Sequence, residues 1–317
     1  MEVSRVEHPD WPAMVCGKDE DQFFTRCIDW LTAHADLFDV VNPEHEDWKS
    51  GAKAFGELIF LLMLLLRSGH AGRSDVRELA RIANVTVQGF DWEAALSFYP
   101  NLALVIGYVA RFCRLIDAPP PLAATTLAQL RSSGYTDSVD YKPFRRADLL
   151  YGFGLAGLPI DREQLAATLR RTALLKSGEA TLFSFYEMYA VTHAVFYLTD
   201  FGFARPQLYA NDDEIARVRI AITRGLGVAC RERHLDLIAE YLICWEGLDM
   251  PADPIRSSAR AMLLANQRAD GAVPAFANRT VYAHRTDVSP RFAHWLECYH
   301  TTLVSALAST RLGNARV

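Results

Sequence analysis

Three sets of polar side chains in this 317-residue chain stand at helical spacing among apolar neighbours. Each set has the residue types of proton-transfer or metal chemistry. The first lies in Tyr186–Gly202, YEMYAVTHAVFYLTDFG. At about 100° per residue, Tyr186, Tyr189, His193, Tyr197 and Asp200 fall in one arc, with Phe183, Val191, Ala194 and Leu198 on the other side. His193 and Asp200 then stand about 20° apart around the helix and about 10 Å apart along it, too far for contact but close enough to share a substrate or an ion. The plainer reading makes His193 a core histidine bonded to a tyrosine, and Asp200 the end of the turn at Gly202.

The second set is Asp236, Glu240 and Cys244, at i, i+4 and i+8 opposite Leu235, Ile238, Leu242 and Trp245. A carboxyl group in a partly dry cavity has a raised pKa and acts as a general acid. Glu240 sits mid-helix in the apolar run AEYLICW and is the strongest candidate. Asp236 falls near the helix start, where capping or solvation accounts for it, and Cys244 reads equally as a small core residue. The third set is His294, Glu297, His300 and Thr301 near the C-terminus, with His300 at the edge of the polar side. His294 and Glu297 read most simply as an exposed i, i+3 pair.

Together these sets give His193, Glu240 and Asp200 as acid/base groups, and Tyr186, Tyr189, Tyr197, Tyr299 and Cys244 as walls of a substrate pocket. A metal-assisted version makes His193, His300 and Asp200 ligands of a divalent metal, with Glu240 as an alternative carboxylate. No HExxH or paired-cysteine spacing supports that version. Gly152–Gly157 (GFGLAG) follows no strand and does not read as a dinucleotide fingerprint, and no Gly-x-Ser-x-Gly elbow occurs. Arg145-Arg146 and Arg170-Arg171 read as solvated faces. The net charge of −5 argues against a nucleic-acid binder, which needs a basic face.

The elements that must position these residues are helical. Alternating strand patterns are scarce, whereas helical periodicity recurs from end to end. Thirteen helices are expected near 20–35, 51–68, 73–84, 91–98, 101–117, 122–132, 143–157, 161–174, 183–201, 212–231, 233–246, 254–267 and 291–310. Asp161, Asn211 and Asp253-Pro254 read as helix starts. The run Leu58–Leu66 is shorter than the roughly 20 residues of a membrane span and reads as a buried core helix. Residues 1–317 read as one all-α domain, with 1–50 less regular and 118–142 a long loop. Met1–Asp21 is polar and acidic, and the six cysteines show no CxxC spacing, so the expectation is a cytoplasmic protein with reduced thiols.

In a chain of helical hairpins, alternate helices share a layer. Segments 101–117, 143–157, 183–201, 233–246 and 291–310 have one parity. The segments 161–174, 212–231 and 254–267 have the other and are richer in charge, as an outer layer requires. Leu264–Pro274 (LANQRADGAVP), followed by a helix carrying Tyr299-His300-Thr301-Thr302, resembles the repeat turn of α/α-toroid proteins such as terpenoid cyclases and prenyltransferase β-subunits. The C-terminal half is also similar to helical proteins of actinobacterial type. The toroid resemblance implies about six helical hairpins around a central cavity. The expected function is acid/base or metal-assisted cyclisation, elimination or hydrolysis of a small natural product or peptide in that cavity. The alternative is a non-catalytic helical-repeat scaffold.

Overall fold

The structure, a computed structural model, describes residues 17–134, 142–175, 183–206, 210–282 and 285–310. Among the described residues it contains thirteen α-helices and no named strand. They are α1 (Gly17–Ala33), α2 (Trp48–Arg67), α3 (Ser74–Gly89), α4 (Trp92–Phe98), α5 (Ala103–Leu115), α6 (Ala124–Ser132) and α7 (Pro143–Leu155). Then follow α8 (Arg162–Arg170), α9 (Phe185–Thr199), α10 (Asp212–Arg231), α11 (Leu235–Gly247), α12 (Pro254–Ala265) and α13 (Pro290–Ser309). Each expected helix has its counterpart. The stretch 1–50 is more regular than expected, since α1 occupies half of its described part. The expected loop at 118–142 holds α6, and its residues 135–141 lie outside the described residues.

The helix starts follow from side chains that satisfy orphan backbone N–H groups. Asp161 accepts from Glu163 N and Gln164 N at 2.9 and 3.0 Å. Asn211 with Glu214 and Ser184 with Glu187 form reciprocal capping boxes on α10 and α9. Asp253 caps α12 ahead of Pro254.

Packing neighbours run in chain order, with two helices skipped between α2 and α5 and one at each later step. α2 packs on α5, α5 on α7, α7 on α9, α9 on α11, α11 on α13, and α13 back on α2. The intervening helices lie against these: α3 on α2, α8 on α7 and α9, α10 and α12 on α11, and α1 on α13. Burial follows the same division. All but one residue of α11 is buried, whereas α10 exposes Arg217, Arg219 and Ile220 on one side and buries Val218 and Ile222 on the other. The run Leu58–Leu66 lies in α2, with Leu58, Ile59 and Leu61 to Leu65 buried. Among the described residues no helix is long and apolar enough to cross a membrane.

The turn between α12 and α13 is held by its own side chains. Gln267 Nε2 donates to Gly271 O and to Phe23 O, each at 3.0 Å, and Asp270 accepts from Ala272 N at 3.1 Å. Gly271 has φ of 102°, and a Cβ there would come within 2.3 Å of Arg26 O. Glycine is required both for the left-handed conformation and for this close approach to α1. The glutamine ties the end of α12 to α1, and so fixes where α13 begins.

Candidate functional site

Side chains from α2, α5, α7, α9, α11 and α13 line one cavity of about 640 Å³. The exposed residues Ser50 and Asn101 line it too, so it opens to solvent near the N-terminal ends of α2 and α5. Its deeper wall carries His193, Glu240 and His300, one from each of three helices.

Asp236 is the anchor beneath this wall. It is 4% exposed, and its carboxylate collects three donors. His300 Nδ1 lies 2.7 Å and Thr301 Oγ1 2.9 Å from Oδ1, while the Tyr189 hydroxyl donates to Oδ2. Burial alone would raise the Asp236 pKa. The charge and hydrogen bond of His300, with the Tyr189 hydroxyl, outweigh burial and hold it well below the usual carboxylate range. Burial likewise disfavours a charged His300, but Asp236, Glu57 and Glu240 overcome it and raise that imidazole from 6.5 to about 10. Asp236 and His300 therefore form a buried ion pair. The exposed part of the His300 ring lines the cavity, which directs its Nε2–H there, 4.0 Å from Glu240 Oε1. His234, the N-cap of α11, sits at the back of the pair, and burial lowers it to about 4, so it stays neutral.

Glu240 lies one turn beyond Asp236 and its pKa shifts the opposite way. Burial raises its pKa, and the nearby Asp236 charge adds to that, while His193 and His300 pull the other way. The hydrogen bonds agree with a protonated carboxyl. The Thr192 hydroxyl reaches both Tyr189 O, at 3.0 Å, and Glu240 Oε2, yet has one proton to give. A Glu240 O–H that donates to Thr192 leaves that proton for the carbonyl. His193 Nδ1 stands 2.8 Å from the same carbonyl and must donate to it, which leaves Nε2 as the nitrogen open to a ligand. The Nδ1 is 3.8 Å from Glu240 Oε2.

A second polar group lines the cavity from α2 and α7. Arg145 donates to Asp148 Oδ2 at 3.0 Å, and Lys53 lies 3.6 Å from Glu57 Oε1. Burial, with Asp148 beside it, raises the Tyr197 pKa, and burial with Glu57 does the same for Tyr299.

Several residues singled out from sequence lie elsewhere. Asp200 turns away from His193 because Arg67 binds both of its oxygens and Tyr151 donates to Oδ1 at 2.6 Å. It caps the end of α9 in a left-handed conformation, with φ of 45°. Tyr186 is 46% exposed and lies under the Lys142 ammonium, 4.2 Å from its ring centroid. Tyr189 touches Asp236 and not the cavity, Tyr197 lines the cavity, and Tyr299 is stacked on Trp295 at 4.4 Å. Cys244 is buried, and burial pushes its thiol far up, so it supplies no thiolate. His294 and Glu297 are not an exposed pair. His294 Nε2 meets Asp270 at 2.9 Å, and the buried Glu297 carboxylate accepts from Val281 N and Tyr282 N at 2.8 and 2.9 Å. Arg145 is exposed, as a solvated face requires, and it also pairs with the buried Asp148.

Among the described residues, the groups able to hold a divalent metal are Asp236, Glu240 and His300, each with a ligand atom within 4.8 Å of the others. His193 and Asp200 are not part of that group. Thr192, Glu57 and Asp148 are the residues that sequence reasoning passed over, and Asp236 was read as a cap or solvated group. Asp236 carried a visible signal, its i, i+4 relation to Glu240. Asp148 stands at i+3 from Arg145, a spacing that pairs charges on any helix.

No curated protein is significantly similar to the chain. One family model matches residues 24–310, which spans every element of the cavity and all of the charged network. The chain thus belongs to the DUF6895 family, described as a domain of unknown function.

Proposed function

We propose that this protein is an enzyme that moves protons on a small molecule held in the central cavity of an α/α toroid. The return of the packing order from α13 to α2 supports the toroid. The observation that carries the enzyme reading is the convergence of His193, Glu240 and His300 on one cavity, with Asp236 buried behind His300. A group raised to about 10 holds its proton too firmly for efficient transfer at neutral pH. His300 therefore serves as a fixed positive donor that stabilises a negative oxygen developing on the substrate. Glu240, with its pKa raised by burial, and His193 through Nε2 are the groups that give and take the proton. Cyclisation, elimination or hydrolysis of a small natural product or peptide fits these roles. Tyr197 and the apolar wall of Phe60, Phe196 and Leu303 would hold such a molecule.

A metal-assisted version rests on the Asp236, Glu240 and His300 group. These residues fit a metal less well than proton transfer. The three donors on Asp236 already engage its oxygens, so it would orient the His300 ring and leave two protein ligands, fewer than the three of a catalytic zinc site.

Glu240→Gln separates catalysis from scaffolding. The amide mimics the neutral carboxyl in shape and cannot transfer the proton. Host cells carrying only this variant are expected to accumulate a compound that wild-type cells convert, as gene-deleted cells do, read by untargeted mass spectrometry of extracts. If the folded variant restores the wild-type profile, the cavity is a binding site and not a catalytic one.

A further inference from the structure

Two carboxylate oxygens that line the cavity have no hydrogen-bond partner. Arg145 meets Asp148 Oδ2, Lys53 faces Glu57 Oε1 and His300 meets Asp236. The two oxygens left without a partner are Asp148 Oδ1 and Glu57 Oε2, both buried. Asp148 is the more telling, because its side chain is only 3% exposed. A carboxylate oxygen can only accept, and an unpartnered one away from water carries its full desolvation cost. Both residues line the cavity. A ligand that brings donors to these two oxygens relieves that cost, and a charged donor does so most strongly. The faces of Phe60, Tyr108 and Phe196 on the same wall also suit a cation.

We infer that the cavity binds a molecule carrying a protonated amine, received by Asp148 and Glu57. This takes its place of binding from the proton-transfer reading and names the substrate class of that site. The test is calorimetric titration at neutral pH with three molecules of one shape: tryptamine, the neutral tryptophol and the anion indole-3-propanoate. Tryptamine is expected to bind at least about ten-fold more tightly than either analogue, and Glu57→Gln and Asp148→Asn each to weaken it by a similar factor. Because Asp148→Asn alters a buried pair, Glu57→Gln, at a side chain 26% exposed, serves as the variant that folds. Equal or tighter binding of indole-3-propanoate, no tryptamine binding at millimolar concentration, or tryptamine binding unchanged in a folded Glu57→Gln protein would overturn the inference. Binding needs no turnover, so the two readings fail separately. Tryptamine bound by both wild type and Glu240→Gln, with Glu240→Gln active in cells, removes catalysis and keeps the amine site. Absent tryptamine binding with Glu240→Gln inactive in cells does the reverse.

Discussion

Asp236 and Glu240 are one helical turn apart on α11, equally buried, and their pKa values shift in opposite directions. Burial raises both. The difference is the cation at Asp236: His300 lies 2.7 Å away there and 4.0 Å from Glu240. Removing the Asp236 charge should therefore act on His300. Asp236→Asn is expected to cost about 3 kcal/mol of stability in urea titrations, the scale of breaking a buried ion pair. The pH dependence has a definite sign. His300, raised from 6.5 to about 10, adds stability that is fully present below pH 6.5 and lost as pH rises through about 10. Asp236, held below its ordinary 3.8, adds stability present above that value and lost on acidification. Glu240, raised from 4.5, works against folding as pH rises above that value. Urea midpoints are expected to fall between pH 7 and 10 in the wild type and to fall less in Asp236→Asn. Glu240 was legible in sequence, because a mid-helix carboxyl in AEYLICW has no surface to reach. Asp236 was not, since a carboxylate near a helix start is usually a solvated cap, and the donors that hold it come from α9 and α13.

The cavity depends on how closely the lining helices approach. At the α5–α7 contact a Cβ on Gly107 would lie 2.2 Å from Gly152 O, which is backbone and cannot move aside. Gly107→Ala must therefore push α5 and α7 apart and is expected to destabilise by about 2 kcal/mol, measured by the shift in urea midpoint at constant slope. Tryptamine binding should weaken in the same variant, because Asp148 lies on α7 one turn before Gly152. Helix existence and many starts were readable, because Asp161, Asn211 and Asp253 cap through local contacts. The shared parity of α5, α7, α9, α11 and α13 was readable for the same reason, as it follows from hairpins in chain order, whereas α2 breaks it because two helices separate it from α5. The place of Arg145 on the cavity wall was not readable. Its pairing with Asp148 is local, but the face that meets the cavity is chosen by α2, α5 and α9. The helix at α1 was expected, but its packing partner was hidden. Phe23, Phe24, Ile28 and Leu31 find their partners on α13, more than 250 residues later.

At the scale of the molecule, the first and last helices are each other's support. α1 and α2 both pack on α13, Arg291 binds Asp36 at 2.6 and 2.7 Å, and Gln267 reaches Phe23. No part of the described chain can leave without exposing another, so unfolding should be a single transition. Scanning calorimetry is expected to give a ratio of calorimetric to van't Hoff enthalpy of ~1, where two independent halves would give two peaks. The same closure lets the fold hold an imidazolium against the cavity, on which the account turns. Nitrogen NMR of protein labelled with ¹⁵N-histidine, followed from pH 6 to 11, measures this directly. Nine histidines contribute, and the His300 signals are assigned by their loss in His300→Gln. The account predicts a His300 ring that keeps both protons until about pH 10 and loses one at lower pH in Asp236→Asn. A His300 that titrates near its ordinary 6.5 in the wild type would contradict it.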